Sequence, residues 1–305
     1  MKANEVYSKT MKFVWLKLAL GGCVLLISAV LGLILFGIAA AADSDELFSI
    51  MMLIWLILSA ACLGVAEHFV GYLLKTGHVA VVTTIVTTGK VPEDQFAYGK
   101  EIVMKNFPTA AAYFAVDKLV SGAVKEINKG LDVVGNLLGK LPGMESVVSF
   151  LQSFVSIALG NVDECCLAYT FYRTDQSALE SSADGVVIYF QNWKTVLKDA
   201  LKVTFITMLV SAIAWIILMV ILVGILAVTG MPGFNAFFVA FIFAILTVII
   251  VKSAVMDSYA MVCMVCSYMQ VAPTTELTFD LYDKLCKLSS KFKSLFQKSK
   301  QGISA

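Results

Sequence analysis

The chain has 305 residues, of which 59% are apolar and 15% charged, and its mean hydropathy is +0.85. Such values argue against a water-soluble globular protein, and a formal net charge of +1 argues against nucleic acid as partner, because phosphate binding needs a concentrated basic surface. What remains is an integral membrane protein, in which charge is informative by position.

Lys2, Lys9, Lys12 and Lys17 precede the first apolar run, Leu18 to Ala42, which contains no charged residue. At ~1.5 Å per residue this run reaches about 38 Å, enough to cross a hydrocarbon core of ~30 Å with some tilt. It exceeds the roughly 7–15 residues of a removable signal's apolar region, so it is expected to stay in the membrane. The acidic turn Asp43-Ser44-Asp45-Glu46 leads to a second uncharged run, Leu47 to Ala66, and then to Glu67 and His68.

The β-branched segment TGHVAVVTTIVTTGKVPEDQ, Thr76 to Gln95, follows this second helix directly. An isolated strand would have no partner for its backbone groups, so the segment reads as an irregular or helical cytoplasmic extension. An interfacial helix is expected to start at Pro92, with acids in its first turn, and to end near Phe107 before Pro108. Thr109 to Ile127 carries Asp117, Lys118, Lys125 and Glu126, and Val147 to Tyr172 carries Asp163 and Glu164. A central ionisable residue costs at least ~2.5–3.5 kcal/mol on insertion scales, so both segments must pair their charges inside a bundle or stay at the interface. Leu141-Pro142-Gly143 between them is a turn signal and predicts a helical hairpin.

Lys194, Lys198 and Lys202 lead into a third crossing, Val203 to Thr229, which Gly230-Met231-Pro232-Gly233 should break. A fourth helix starts near Asn235. Lysines gather before the first crossing and in the tail, while the 43–46 and 230–235 turns hold none, so both termini are expected in the cytoplasm. Residues 75–195 then contain zero or two crossings.

The stretch VKSAVMDSYAMVCMVC places Lys252 and Asp257 within a long apolar region. A continuous helix from Asn235 to Gln270 would measure about 54 Å at ~1.5 Å per residue, too long for one bilayer. Lys252 would snorkel at the cytoplasmic boundary, and Tyr259 to Met269 would be buried by protein, for which 75–195 is the available partner. Asp257 is either an interfacial charge or a substrate or proton site. In the tail, Leu281, Leu285, Leu288, Phe292, Leu295 and Phe296 recur at helical spacing, while Lys284, Lys287, Lys291 and Lys298 occupy other positions. That pattern suits an amphipathic helix on anionic lipid, or the same face docked on the protein's own helices.

The fold class is therefore all-α: a polytopic integral membrane helical bundle with four transmembrane helices and a central amphipathic or broken helical hairpin. The expected segments are 1–74 with helices 1 and 2, 75–195 with the interfacial helices, 196–272 with helices 3 and 4 and their extension, and 273–305 as the basic tail.

SAVMDSYAMVCMVCSYM, ending before Pro273 and followed by FDLYDKLCKLSSKFKSLF, resembles the last membrane helix and lysine-rich tail of the choline transporter-like family. DGVVIYFQNWKTVLKDALK is similar to that family's basic amphipathic lead into a crossing, and YGKEIVMKNFPTAAAYFAVDKLVSGAVKEINKGL to its small-residue helix. The resemblance covers about Ile50 to Lys298 and corresponds only to the family's C-terminal half. It implies a transport ancestry for small organic cations such as choline, with the missing half leaving the substrate path incomplete unless two copies assemble. Ring faces hold quaternary ammonium groups, which adds Tyr169 and Tyr259 to the polar candidates Asp117, Asp163, Glu164 and Asp257.

Cys263-Met264-Val265-Cys266 has no second pair or His cluster, and Cys165-Cys166 beside Asp163 and Glu164 is a poor zinc set, so no metal or cofactor is expected. The seven cysteines read as small buried hydrophobes rather than disulfides. No P-loop, dinucleotide fingerprint, hydrolase elbow or catalytic dyad is present, so no enzyme is expected. The expected function is transport of a small organic solute, with a membrane scaffold or lipid-interacting protein as the alternative. Expected partners are the bilayer, anionic lipid at the cytoplasmic face and a possible second copy of the chain.

Overall fold

A computed structural model describes residues 2–130, 162–228 and 233–301, and every regular element among them is helical. In chain order these are α1 (Ala3–Lys9), α2 (Met11–Ala41), α3 (Asp45–Ala66), a π-helical turn (Glu67–Gly71), α4 (Tyr72–Thr88), α5 (Gln95–Asn106), α6 (Ala110–Gly130) and α7 (Val162–Tyr172). They continue with α8 (Ala178–Val228), α9 (Gly233–Val251), a second π-helical turn (Lys252–Asp257), α10 (Ser258–Val271), a 3-10 turn (Ala272–Thr274), α11 (Phe279–Leu288) and α12 (Ser290–Lys300). Two compact units share the chain discontinuously. One, the apolar unit, is Lys12–Leu74 with Ile206–Ser258; the other, the mixed unit, is Met1–Met11, Lys75–Phe205 and Tyr259–Ala305.

Among the described residues four helical stretches are long and apolar enough to cross a membrane: Met11–Ala41, Glu46–Thr88, Lys202–Val228 and Gly233–Thr274. In the apolar unit, large apolar side chains such as Leu33, Ile57, Val220 and Phe234 are exposed. Inside, small residues allow close packing. A side chain at Gly21 would collide with Ile250, and Ala240 and Ala244 of α9 pack with Met219, Trp215 and Phe241. Ser28 Oγ and Ser59 Oγ are 2.7 Å apart, and Trp55 Nε1 donates to the Ser28 carbonyl at 2.8 Å, so polar groups within α2 and α3 satisfy each other. Ser44 starts α3 by accepting a hydrogen bond from Leu47 N–H.

The mixed unit has a protein-like core. Val79, Ala80, Val81, Val82 and Ile85 of α4 are fully buried, as are Val186, Val187, Ile188 and Tyr189 of α8, the pattern of helices surrounded by other helices. The β-branched segment after helix 2 is thus helical as far as Thr88, where Gly89 ends it at φ +73°, a conformation glycine adopts without a Cβ clash. α4 and α5 approach backbone to backbone at Gly77 and Gly99: a Cβ at Gly99 would sit 2.7 Å from the Gly77 carbonyl oxygen. Ala260 to Cys266, Tyr268 and Met269 are buried in this unit, with the Tyr268 hydroxyl donating to the Gly185 carbonyl at 3.0 Å.

Several expectations need correction. The interfacial helix begins at Gln95 rather than Pro92, because Asp94 Oδ1 accepts from Ala97 N–H at 3.0 Å and so supplies its N-cap. The third crossing agrees with the candidate span Lys202–Val228, but no break precedes it: it is the C-terminal part of α8, 51 residues long, since no proline interrupts 178–228. The span from Asn235 to Gln270 is not uniformly α-helical, being widened by the π-turn at Lys252–Asp257. The tail is two helices, because Ser289 adopts extended φ −138° and ψ 120° between them. α6 covers the first half of the expected hairpin; the 141–143 turn, residues 147–161 of its second half, and residues 230–232 of the break after the third crossing lie outside the described residues.

Candidate functional site

The mixed unit gathers four ionisable side chains from three helices. α4 brings Lys75, α6 brings Asp117, and α7 brings Asp163 and Glu164 in its first turn, where helix N–H groups favour negative charge. Lys75 Nζ is 2.6 Å from Glu164 Oε1 and 3.5 Å from Asp163 Oδ2. The Glu164 side chain is 2% exposed, Asp163 12% and Lys75 39%, so the carboxylates are interior and the ammonium reaches them from the edge. Glu164 Oε2 and Asp117 Oδ1 are buried with no hydrogen-bond donor.

Three carboxyl groups thus share one ammonium. Burial, followed by the neighbouring Asp163 charge, pushes the Asp117 carboxyl up to about 6 and raises Glu164 well above the carboxylate range. Burial also opposes ionisation of Asp163, but the Lys75 charge and a hydrogen bond from Glu164 hold it below its ordinary value. The group titrates as one unit and keeps protons that separate carboxyl groups would release. Burial likewise raises the Tyr113 hydroxyl and the Cys165 and Cys166 thiols, so these sulfurs are not reactive thiolates. Among the described residues no three His, Cys, Asp or Glu side chains are placed to hold a metal ion.

Asp257 belongs to the apolar unit. In the apolar unit, Lys252 Nζ contacts Asp257 Oδ1 at 2.7 Å and Oδ2 at 2.8 Å. The π-turn makes this possible, since its wider winding brings residues five apart onto one side. The lysine does not simply snorkel: it neutralises the aspartate five residues later. Lys17 Nζ donates to Ser258 Oγ at 2.8 Å beside the same turn.

The two aromatic candidates are separate from the carboxyl cluster. Tyr259 donates its hydroxyl to Asn4 Oδ1 at 2.6 Å and meets Tyr7 edge-on at 5.2 Å, so its ring packs on α1. The Tyr169 hydroxyl accepts from Arg173 Nη1 at 2.9 Å, and Arg173 holds both oxygens of Asp175 at 2.8 Å. Within the mixed unit the structure therefore joins Asp117, Asp163 and Glu164, but not Tyr169 or Tyr259.

Lys75 is the member that sequence reasoning missed. It follows the second apolar run as an ordinary boundary lysine, and its partners are 88 and more positions away. Asp184 was missed as well: it is buried, accepts from Gln176 Nε2 at 3.1 Å, and receives the Tyr282 hydroxyl, which anchors α11.

The tail places its apolar side inward. Leu285, Phe292 and Leu295 are buried, and α12 lies along α6, so this face is occupied by the protein's own helix. Glu126 of α6 caps α12 from outside that helix. Its Oε2 accepts from Ser289 Oγ at 2.8 Å, Lys291 N–H at 3.2 Å and Ser290 Oγ at 3.3 Å, and these bonds lower its pKa, Ser289 most. Lys284, Lys287, Lys291 and Lys298 remain exposed. Comparison with family models, curated proteins and solved structures finds no match to the chain.

Proposed function

We propose that the protein is a non-transporting membrane scaffold: a four-span anchor carrying a helical domain whose lysines engage anionic lipid at the cytoplasmic leaflet, with both termini on that side. One observation carries this reading. Among the described residues Asp117, Asp163 and Glu164 sit on helices other than the four candidate spans and share the Lys75 ammonium, while Asp257 is paired with Lys252 on its own helix. Transporters place substrate groups near the bilayer midplane, and an organic cation needs an open carboxylate or ring face there. Among the described residues the interior polar groups of the apolar unit include the Ser28, Ser59 and Trp55 set, which bond to one another.

The test is reconstitution of the full chain into vesicles with labelled choline and other small organic cations outside. The scaffold reading expects uptake equal to that of protein-free vesicles, together with enrichment of anionic lipid around the purified protein. Saturable uptake abolished by Asp257→Asn would instead establish the transport activity that the family resemblance implies. For orientation, a thiol reagent added from outside intact cells should modify Ser44→Cys and spare Lys300→Cys; the reverse pattern would invert the topology.

A further inference from the structure

The geometry points to a binding surface for a multiply phosphorylated lipid headgroup, built by α6 and α12 around Gly122. This deepens the lipid-binding reading above and rests on it. On α6, Lys118, Gly122, Lys125 and Lys129 follow spacings of four, three and four, so they form one stripe along the helix. All three lysines of the stripe are exposed. At Gly122 the stripe has no side chain, and the stem of Lys291 lies there: a Cβ on Gly122 would be 3.2 Å from Lys291 Cγ. Docking of α12 thus adds a fourth lysine to the gap between Lys118 and Lys125. Lys298, seven residues beyond Lys291, lies on the same side of α12 and is also exposed.

Like charges one helical turn apart repel, and a nearby carboxylate would ordinarily relieve them. Among the described residues, the carboxylate one turn from Lys129 on α6 is Glu126, and it is turned to the N-terminus of α12, where it holds Ser289, Ser290 and the Lys291 N–H. From Lys284 to Ala305 the chain contains no acidic residue. A headgroup with one charge would meet one of these lysines at a time, whereas clustered phosphates on one ring match several together. A lipid is the source favoured by the anchor, because a domain tethered to spans meets headgroups at a high effective concentration.

The experiment uses the full chain in neutral detergent, titrated with dioctanoyl phosphatidylinositol bisphosphate, dioctanoyl phosphatidylserine and free inositol trisphosphate. The variant Lys118→Gln/Lys125→Gln/Lys291→Gln is compared with Lys90→Gln/Lys100→Gln/Lys105→Gln, which removes the same charge from other exposed positions. Both should melt at the wild-type temperature without ligand. The expected result is bisphosphate lipid binding weakened about tenfold or more in the first variant, little changed in the second, and restored when the three lysines become arginine. Equal weakening in both variants would overturn the site while leaving general lipid attraction standing. Absence of binding to either lipid by the wild type would overturn both readings. Free inositol trisphosphate binding as tightly as the lipid, with the same loss in the first variant, would overturn the lipid as source.

Discussion

Lys75 Nζ lies 2.6 Å from Glu164 Oε1 while the other Glu164 oxygen, buried, has no donor. One ammonium therefore holds α4 and α7 together among three buried carboxyl groups. Lys75→Met should leave the carboxyl cluster without its cation. Breaking a fully buried pair costs ~3–5 kcal/mol, but Lys75 is 39% exposed, so solvent screening reduces the expected loss to about 1–3 kcal/mol. Thermal unfolding of the full chain in detergent measures this, and adding Glu164→Gln should recover part of it. A Lys75→Met protein melting with the wild type would show that the ion pair does not hold these helices.

The same cluster predicts a pH dependence. Asp117 has a folded pKa of about 6 against an ordinary value of 3.8, so its protonated form favours the folded state. Its contribution is fully present below the ordinary value and is lost as pH rises through 6. Asp117→Asn should lessen this fall, Glu164 keeping its own share, and raise stability at pH 7 by on the order of 2 kcal/mol, the asparagine serving as a permanently neutral carboxyl. Melting temperatures between pH 4 and pH 7.5 test it, and a variant as pH-sensitive as the wild type in this window would refute the assignment to Asp117.

Glu126→Ala should loosen α12 without disturbing the apolar unit. Three hydrogen bonds at the start of α12 are lost, but the site is open to water, so the cost is about 1 kcal/mol. Hydrogen exchange over residues 290–300 should quicken severalfold while exchange in α4 stays unchanged. Unchanged protection in 290–300 would mean that apolar packing alone docks the helix.

Lys252 and Asp257 should tolerate loss equally, because each is the other's partner across the π-turn. This differs from a snorkelling lysine, which would be replaced at little cost. Side chains 32% and 40% exposed limit the loss to about 1 kcal/mol for Lys252→Gln or Asp257→Asn, and the exchange Lys252→Asp/Asp257→Lys should restore most of it. Stability measured for the singles and the exchange forms the test. Additive losses would show that the two side chains act independently.

Local, chain-continuous features are legible in the residues alone. Apolar runs of membrane length, the acidic turn at 43–46, the end of α5 before Pro108 and the apolar face of the tail are all legible, because rise per residue and side-chain period follow from covalent geometry. Which partner each face or charge takes was left to the tertiary structure. The tail's Phe292 and Leu295 suit lipid or protein equally by pattern, and only the packing of α12 along α6 decided for protein. Lys75 has no local pattern that marks it until α7 brings Glu164 to it, and Asp257 reads as an interfacial charge or a substrate or proton site until the π-turn widens the helix toward Lys252. Charge pairing across distant segments depends on how helices are brought together, and a buried carboxylate selects its cation through desolvation, which no one-dimensional pattern records.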